Sequence, residues 1–145
     1  MRLAATCLAA LAAAAPAAAA AYEVVGDAIP EPLTGRAGDP VAGVALAADR
    51  QKSLCVLCHG GPFAPAHLQG TLAPDLSGVG DRLSAGQIRL RIVDMKRLSP
   101  ETIMPAYLDP SGDGDRRVVA AWRGRTILTP DEIEDLVAYL STLRG

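Results

Sequence analysis

"SLCVLCHGG", residues 53–61, sets two of the chain's three cysteines three positions apart, with a histidine directly behind. Cys55, Cys58 and His59 read as C-x-x-C-H, the attachment signature of a c-type haem. The chemistry explains the spacing. Positions i and i+3 lie on one face of a helical turn, so two thiols there can reach the two vinyl groups of one haem and form thioethers. The next residue, His59, can turn its ring under the iron as proximal ligand. A bare C-x-x-C also occurs in thioredoxin-like redox pairs and in zinc sites. The first needs a βαβ setting, and no such pattern surrounds this motif. The second needs four ligands; Cys55, Cys58, His59 and His67 could formally supply them, but their spacing fits poorly.

The 145 residues are enough for one domain, and the first 21 read as separate from it. "MRLAATCLAALAAAAPAAAAA" has Arg2 near its start, an apolar Ala/Leu stretch, then small residues. This is the pattern of a secretory signal peptide, removed at an Ala-x-Ala site over residues 19–21 to leave Tyr22 first. The competing reading is a membrane anchor, which the short stretch interrupted by Pro16 serves poorly. Cleavage would take Cys7 with it, leaving only Cys55 and Cys58, both consumed by haem. The mature chain then has no cysteine to act as a nucleophile. It would carry 13 basic residues against 16 acidic ones, a balance that excludes the basic stripe of a nucleic-acid binder. One Trp, one Phe and three Tyr are few for filling a core. A covalently held haem would supply the missing apolar plate, and its binding would stabilise the fold.

Residues 22–38, "YEVVGDAIPEPLTGRAG", are rich in Pro and Gly and read as an extended N-terminal arm that adds little to the core. The domain proper, 39–145, begins with a helix capped by Asp39, with Pro40 in its first turn. Val41, Val44, Ala45 and Ala48 recur on it at helical spacing. Residues 60–83 read as loop. A middle helix follows, with Ser84 and Gln87 spaced as a capping box and Ile88, Ile92 and Met95 as its apolar stripe. The last helix has Thr129 as cap, Pro130 in the first turn and Glu132 closing a second box. Its buried face is Ile133, Leu136, Val137, Leu140 and Leu143. Residues 109–117, "DPSGDGDRR", read as a polar turn with no assigned role. No strand pattern and no internal repeat appears. Helix, C-x-x-C-H, loop, helix, methionine loop and helix make an all-α architecture, the class I cytochrome c-like fold: short helices wrapped around one covalently attached haem.

Three residues compete as sixth ligand of the iron. Met95 sits on the stripe of the middle helix, where core packing explains it. His67 is eight residues past His59 and reads as a surface loop histidine. Met104, in "TIMPAY", lies 45 residues beyond His59, far enough for the chain to cross to the other haem face. Pro105 keeps it out of helix. A gap-filling methionine is the alternative, but spacing favours Met104. His/Met ligation suits electron transfer and leaves no open position at the iron. The proximal His59 needs an acceptor for its second ring N–H, and the carbonyl of Pro74 in "APDLSGVG" is the candidate, with a plain turn as the alternative. Trp122, Arg123 and Arg125 in "AWRGR" read as a solvated basic face, with packing near the haem edge or pairing with its propionates as the alternative.

Four stretches together resemble the SoxX family, the monohaem subunits of SoxAX cytochromes of bacterial sulfur oxidation. They are "PLTGRAGDPVAGVALAADRQKSLCVLCHGGP", "QGTLAPDLSGVGDR", "PETIMPAY" and "ILTPDEIEDLVAYLSTL". C-x-x-C-H and the methionine–proline loop are general to small cytochromes c; the other features are more particular. The resemblance implies a periplasmic heterodimer with SoxA, acting as an L-cysteine S-thiosulfotransferase that joins thiosulfate to a cysteine of the carrier SoxYZ. The chemistry would reside at a cysteine of SoxA, and this chain would be a non-catalytic haem subunit. Cys55 and Cys58 match the haem-attaching pair, His59 the proximal ligand and Met104 the distal one. An electron-accepting cytochrome is a further partner. The alternatives are a diffusible periplasmic electron carrier and the cytochrome subunit of another periplasmic dehydrogenase.

Overall fold

The structure is a computed structural model that describes residues 22–108, 121 and 124–145. The expected leader, the turn at 109–117, Trp122 and Arg123 lie outside the described residues. Among the described residues five helices follow in order: α1 (Pro40–Ala48), α2 (Cys55–Cys58), α3 (Val79–Arg82), α4 (Ala85–Asp94) and α5 (Pro130–Leu140), with 3₁₀ turns at Ala66–Leu68 and Met95–Arg97. Among the described residues the only β pairing is an isolated bridge between Val25 and Ala28.

The helix starts form as their sequences dictate. Asp39 accepts the Val41 N–H at 2.8 Å. Ser84 with Gln87 and Thr129 with Glu132 make complete capping boxes at α4 and α5, satisfying N–H groups that the first turn leaves without helical partners. On α5, Ile133, Leu136, Val137 and Leu140 are buried, and Leu143 beyond its end is too.

α1 departs from its expected orientation. The apolar spacing placed Val41, Val44, Ala45 and Ala48 on one face. Val44 packs partly buried against the core, but Val41 is 73% exposed, and the fully buried positions are Gly43 and Ala47. The reason is the crossing with α5, the most extensive helix contact in the fold. A Cβ on Gly43 would lie 2.0 Å from the Asp135 carbonyl oxygen and 2.6 Å from Tyr139 Cβ. Close approach of the two backbones, not side-chain hydrophobicity, decides which face of α1 is buried. Asp135 adds a hydrogen bond from the Asp39 N–H at 2.7 Å.

Residues 22–38 form no helix and turn twice, at Val25–Ala28 and Pro32–Gly35, and they contribute more to the core than their composition suggests. Ile29 is 1% exposed and belongs to the main hydrophobic cluster. Its N–H donates to Gly86 O at 3.0 Å. Arg89 of α4 and Glu134 of α5 form a bidentate pair, Nε–Oε1 2.7 Å and Nη2–Oε2 2.8 Å, with both residues buried. Arg89 Nη1 also donates to Ile29 O at 2.7 Å, and Glu134 Oε1 accepts from Leu33 N at 2.9 Å. The pair therefore joins arm, α4 and α5 at one point.

α3 is a single turn within the stretch read as loop, too short for a periodic signal. Val79 is its buried residue. The chain end folds back on it: Gly80 N donates to Leu143 O at 3.0 Å.

Candidate haem-attachment site

The attachment turn is held from both sides. Asp49 accepts the N–H groups of Gln51 and Lys52 at 2.7 and 3.0 Å, contacts that hold its carboxyl below the usual carboxylate range. Ser53 is fully buried, and its hydroxyl donates to the carbonyls of Leu46 and Asp49. Leu54 then turns left-handed, with φ of 62°, and starts the single turn of α2. A non-glycine residue there is uncommon, and here it sits at the entrance to the motif. His59 closes the turn, its N–H donating to Cys55 O at 2.9 Å.

Cys55 and Cys58 are half-buried free thiols at i and i+3 of this turn. Burial pushes the Cys55 thiol up from its ordinary value. A reactive dithiol needs the opposite shift, so this environment does not favour the thioredoxin-like reading. His67 is exposed on the Ala66–Leu68 turn, and among the described residues no three His, Cys, Asp or Glu side chains converge to hold a metal ion. The zinc reading thus lacks its geometry.

The segment after the motif runs back along it. Gly70 N donates to Val56 O at 2.9 Å, Ala73 N to Cys58 O at 3.0 Å and Leu76 N to Gly60 O at 2.8 Å. The approach at Gly70 is close: a Cβ there would meet Leu57 O at 2.0 Å. This pairing sets the Pro74 carbonyl 2.7 Å from His59 Nδ1. A carbonyl only accepts, so Nδ1 carries the proton and donates. Nε2 is left with its lone pair free for a metal.

Met104 is half-buried against the core, its N–H donating to Thr102 Oγ1 at 3.2 Å. Met95 is at the C-terminal cap of α4, half-buried and not on the core stripe. Arg125 is exposed. Two residues outside the sequence reading also shape the site. Gln69 spans the loop after the motif: Oε1 accepts from Gly61 N at 2.9 Å, and Nε2 donates to Gly61 O at 2.6 Å and to Ala64 O. Tyr107 donates its hydroxyl to Ser53 O at 2.5 Å. Neither has a motif to announce it: Gln69 braces irregular loop backbone at Gly61 and Ala64, and Tyr107 reaches a carbonyl 54 residues away.

The donor set fits a c-type haem. Two unpaired thiols share one helical face, an imidazole has its Nδ1 held by a backbone carbonyl, and a thioether lies on a separate loop. Leu57, Leu72 and Ile103, neighbours in sequence of Cys58, Ala73 and Met104, are 41%, 69% and 76% exposed. Such apolar area is what a large apolar cofactor would cover.

A helical fold organised around C-x-x-C-H, with its histidine oriented by a backbone carbonyl, defines a cytochrome c. The chain belongs to that family: the Cytochrome c family model matches residues 41–144. Within it the chain is of the SoxX type. It matches a chain in the crystal structure of SoxXA from P. pantotrophus at 34% identity and a TM-score of 0.73, covering 86% of this chain and 95% of that one. No curated protein sequence matches it. Among the described residues no helix is long and apolar enough to cross a membrane.

Proposed function

We propose that the chain is the monohaem subunit of a periplasmic SoxAX-type complex. The observation that carries this reading is the match to SoxXA over nearly the whole of both chains. In the proposed mature protein, from Tyr22 on, Cys55 and Cys58 attach one haem c, and His59 and Met104 are its axial ligands. The haem supplies a one-electron change at iron. The chain's own residues hold it: Pro74 O fixes the His59 tautomer, and the pairing of 69–76 with 56–60 keeps that ring in place.

The partner is SoxA. The complex joins thiosulfate to a cysteine thiol of the carrier SoxYZ, forming an S–S bond with release of two electrons and a proton, and it works through a cysteine this chain cannot spare. Cys55 and Cys58 are committed to haem, so the reacting cysteine belongs to the partner. This subunit stabilises the complex and exchanges electrons, with a further cytochrome as acceptor.

The test is reconstitution. Alone, the holoprotein should support no thiosulfate conjugation of SoxYZ. With SoxA it should co-elute one to one and support it. A stable interface buries on the order of 1,600 Å², so co-elution should persist in moderate salt, unlike an encounter held by surface charge. A chain that stays monomeric with SoxA at micromolar concentration, yet rapidly reduces an oxidase, would instead be a diffusible carrier.

A further inference from the structure

Tyr107 is fastened at three points. Its N–H donates to Ile92 O of α4 at 3.3 Å. Its carbonyl accepts from both Ile127 N and Leu128 N, at 2.9 and 3.1 Å. Its hydroxyl donates to Ser53 O at 2.5 Å. The residue is 4% exposed, and Ser53 is 0% exposed. One side chain therefore joins the stem of the Met104 loop to the turn that enters the C-x-x-C-H motif. The bond spans 54 residues.

The acceptor has a second neighbour: Cys55 Sγ lies 3.8 Å from the same Ser53 carbonyl. A thioether sulfur has no proton to donate. Once Cys55 is attached to haem, Tyr107 is the remaining side-chain donor to that carbonyl among the described residues. Without it, a buried carbonyl would be left unsatisfied while the loop is closed and could regain a partner only by local opening. Burial also raises the Tyr107 hydroxyl above the ordinary tyrosine value, keeping it protonated as a donor.

We propose that Tyr107 is a positioning residue whose hydroxyl bond to Ser53 O latches the methionine loop to the haem-attachment turn and limits opening of the distal side. This rests on Met104 being the distal ligand. Removing the bond shifts the loop toward its open population without touching iron, thiols or either axial ligand.

The experiment compares ferric holoprotein carrying Tyr107→Phe, Tyr139→Phe or Met104→Ala with the unaltered chain. Two readouts are the methionine–iron near-infrared band and titration with imidazole, which binds ferric iron only when the distal ligand leaves. Tyr139 is the control, because its hydroxyl makes the same kind of bond, to Pro62 O at 3.1 Å, but outside the methionine loop. Tyr107→Phe should keep the band at low temperature, lose it at lower temperature than the parent, and bind imidazole about tenfold more tightly, the order expected for an orphaned buried acceptor. Tyr139→Phe should match the parent. If Tyr107→Phe binds imidazole as the parent does, or if Tyr139→Phe tightens it equally, the latch is overturned. If Met104→Ala keeps the band, the ligand assignment fails instead, a different result. Should Tyr107→Phe fail to accumulate, the ferrous parent holoprotein is read by NMR instead: a slowly exchanging Tyr107 hydroxyl proton supports the latch, and one in fast exchange with water overturns it.

Discussion

Arg89 and Glu134 meet through two parallel hydrogen bonds of 2.7 and 2.8 Å in the interior, and each holds a piece of backbone from the N-terminal arm. A paired, fully hydrogen-bonded buried charge is tolerated; a lone one is not. Glu134→Gln keeps an acceptor for Leu33 N and Arg89 Nε but turns an amide NH2 toward Arg89 Nη2 and leaves the Arg89 charge unpaired, costing about 3–5 kcal/mol. Chemical denaturation of the holoprotein measures this. A loss below about 1 kcal/mol, the size of a surface pair, would mean that the pair is not closed in solution.

The same contact changes what arm deletion can report. Removing residues 22–34 would take Ile29 from the core and leave Arg89 without its backbone acceptors. Such a deletion should lower stability as well as any partner affinity. The cleaner probe of the arm's surface is substitution at Val25, which is 54% exposed. Val25→Asp should leave the haem spectrum and unfolding midpoint within about 0.5 kcal/mol of the parent, as surface changes usually do. If the arm contributes to the SoxA interface, it should weaken co-elution with SoxA.

Gly43 gives a prediction whose sign opposes helix propensity. In an exposed helix Gly→Ala stabilises by about 1 kcal/mol. Here the added methyl would lie 2.0 Å from the Asp135 carbonyl oxygen, so α1 and α5 must separate. Overpacking costs about 1–3 kcal/mol or more. Gly43→Ala should lower the melting temperature by several degrees. Ala45→Gly on the exposed face of the same helix should cost about 0.5–1 kcal/mol, the ordinary propensity difference, so here the change to Gly and the change to Ala both destabilise. A rise for Gly43→Ala would show that the crossing is looser than described.

What could be read from sequence depended on whether a signal was local. The capping boxes at Ser84–Gln87 and Thr129–Glu132 are local, and both helix starts were legible. So was the pairing of His59 with Pro74 O, because the motif demands an acceptor and "APDL" offers a turn at suitable distance. The buried face of α1 was misjudged because hydrophobic periodicity weighs Val and Ala, whereas the crossing selects Gly43 for having no side chain. Arg89 and Glu134 carry no local signal of burial, since only their convergence from two helices makes it tolerable. Tyr107 acts on a carbonyl 54 residues away, and Gln69 on irregular loop backbone, relationships that periodic spacing does not encode.

Asp81 ties the chain end to α3. It accepts from Gly145 N and from Arg144 Nη1, both at 2.9 Å, and the Gly145 N–H followed by the Arg144 contact holds its carboxyl below the ordinary value of 3.8. A depressed folded-state pKa gives stability that is fully present above the unfolded value and is lost as pH falls through the folded one. The tether should thus be intact at neutral pH and release only below about pH 3.8. Asp81→Asn should remove that part of the acid response. Amide exchange at Gly145 and Gly80, followed from pH 5 down to pH 3, would show it. Release beginning above pH 5 in the parent would contradict the assignment.

The two methionines separate cleanly in their expected behaviour. Met104 packs half-buried on a loop that Pro105 keeps out of helix and that Tyr107 anchors to the attachment turn. Met95 terminates α4 and opens the 3₁₀ turn that follows. Met104→Ala should abolish the near-infrared band of methionine-ligated ferric haem and lower the reduction potential, because a thioether ligand favours the reduced iron. The haem should remain with the chain through denaturing electrophoresis, since Cys55 and Cys58 are untouched. Cys55→Ala or Cys58→Ala should instead lower the yield of covalent holoprotein. Met95→Leu roughly conserves volume and should leave band and potential nearly unchanged, with a stability cost under about 1.5 kcal/mol. If Met95→Leu abolishes the band and Met104→Ala spares it, the iron takes its sixth ligand from the end of α4, and the distal loop serves another purpose.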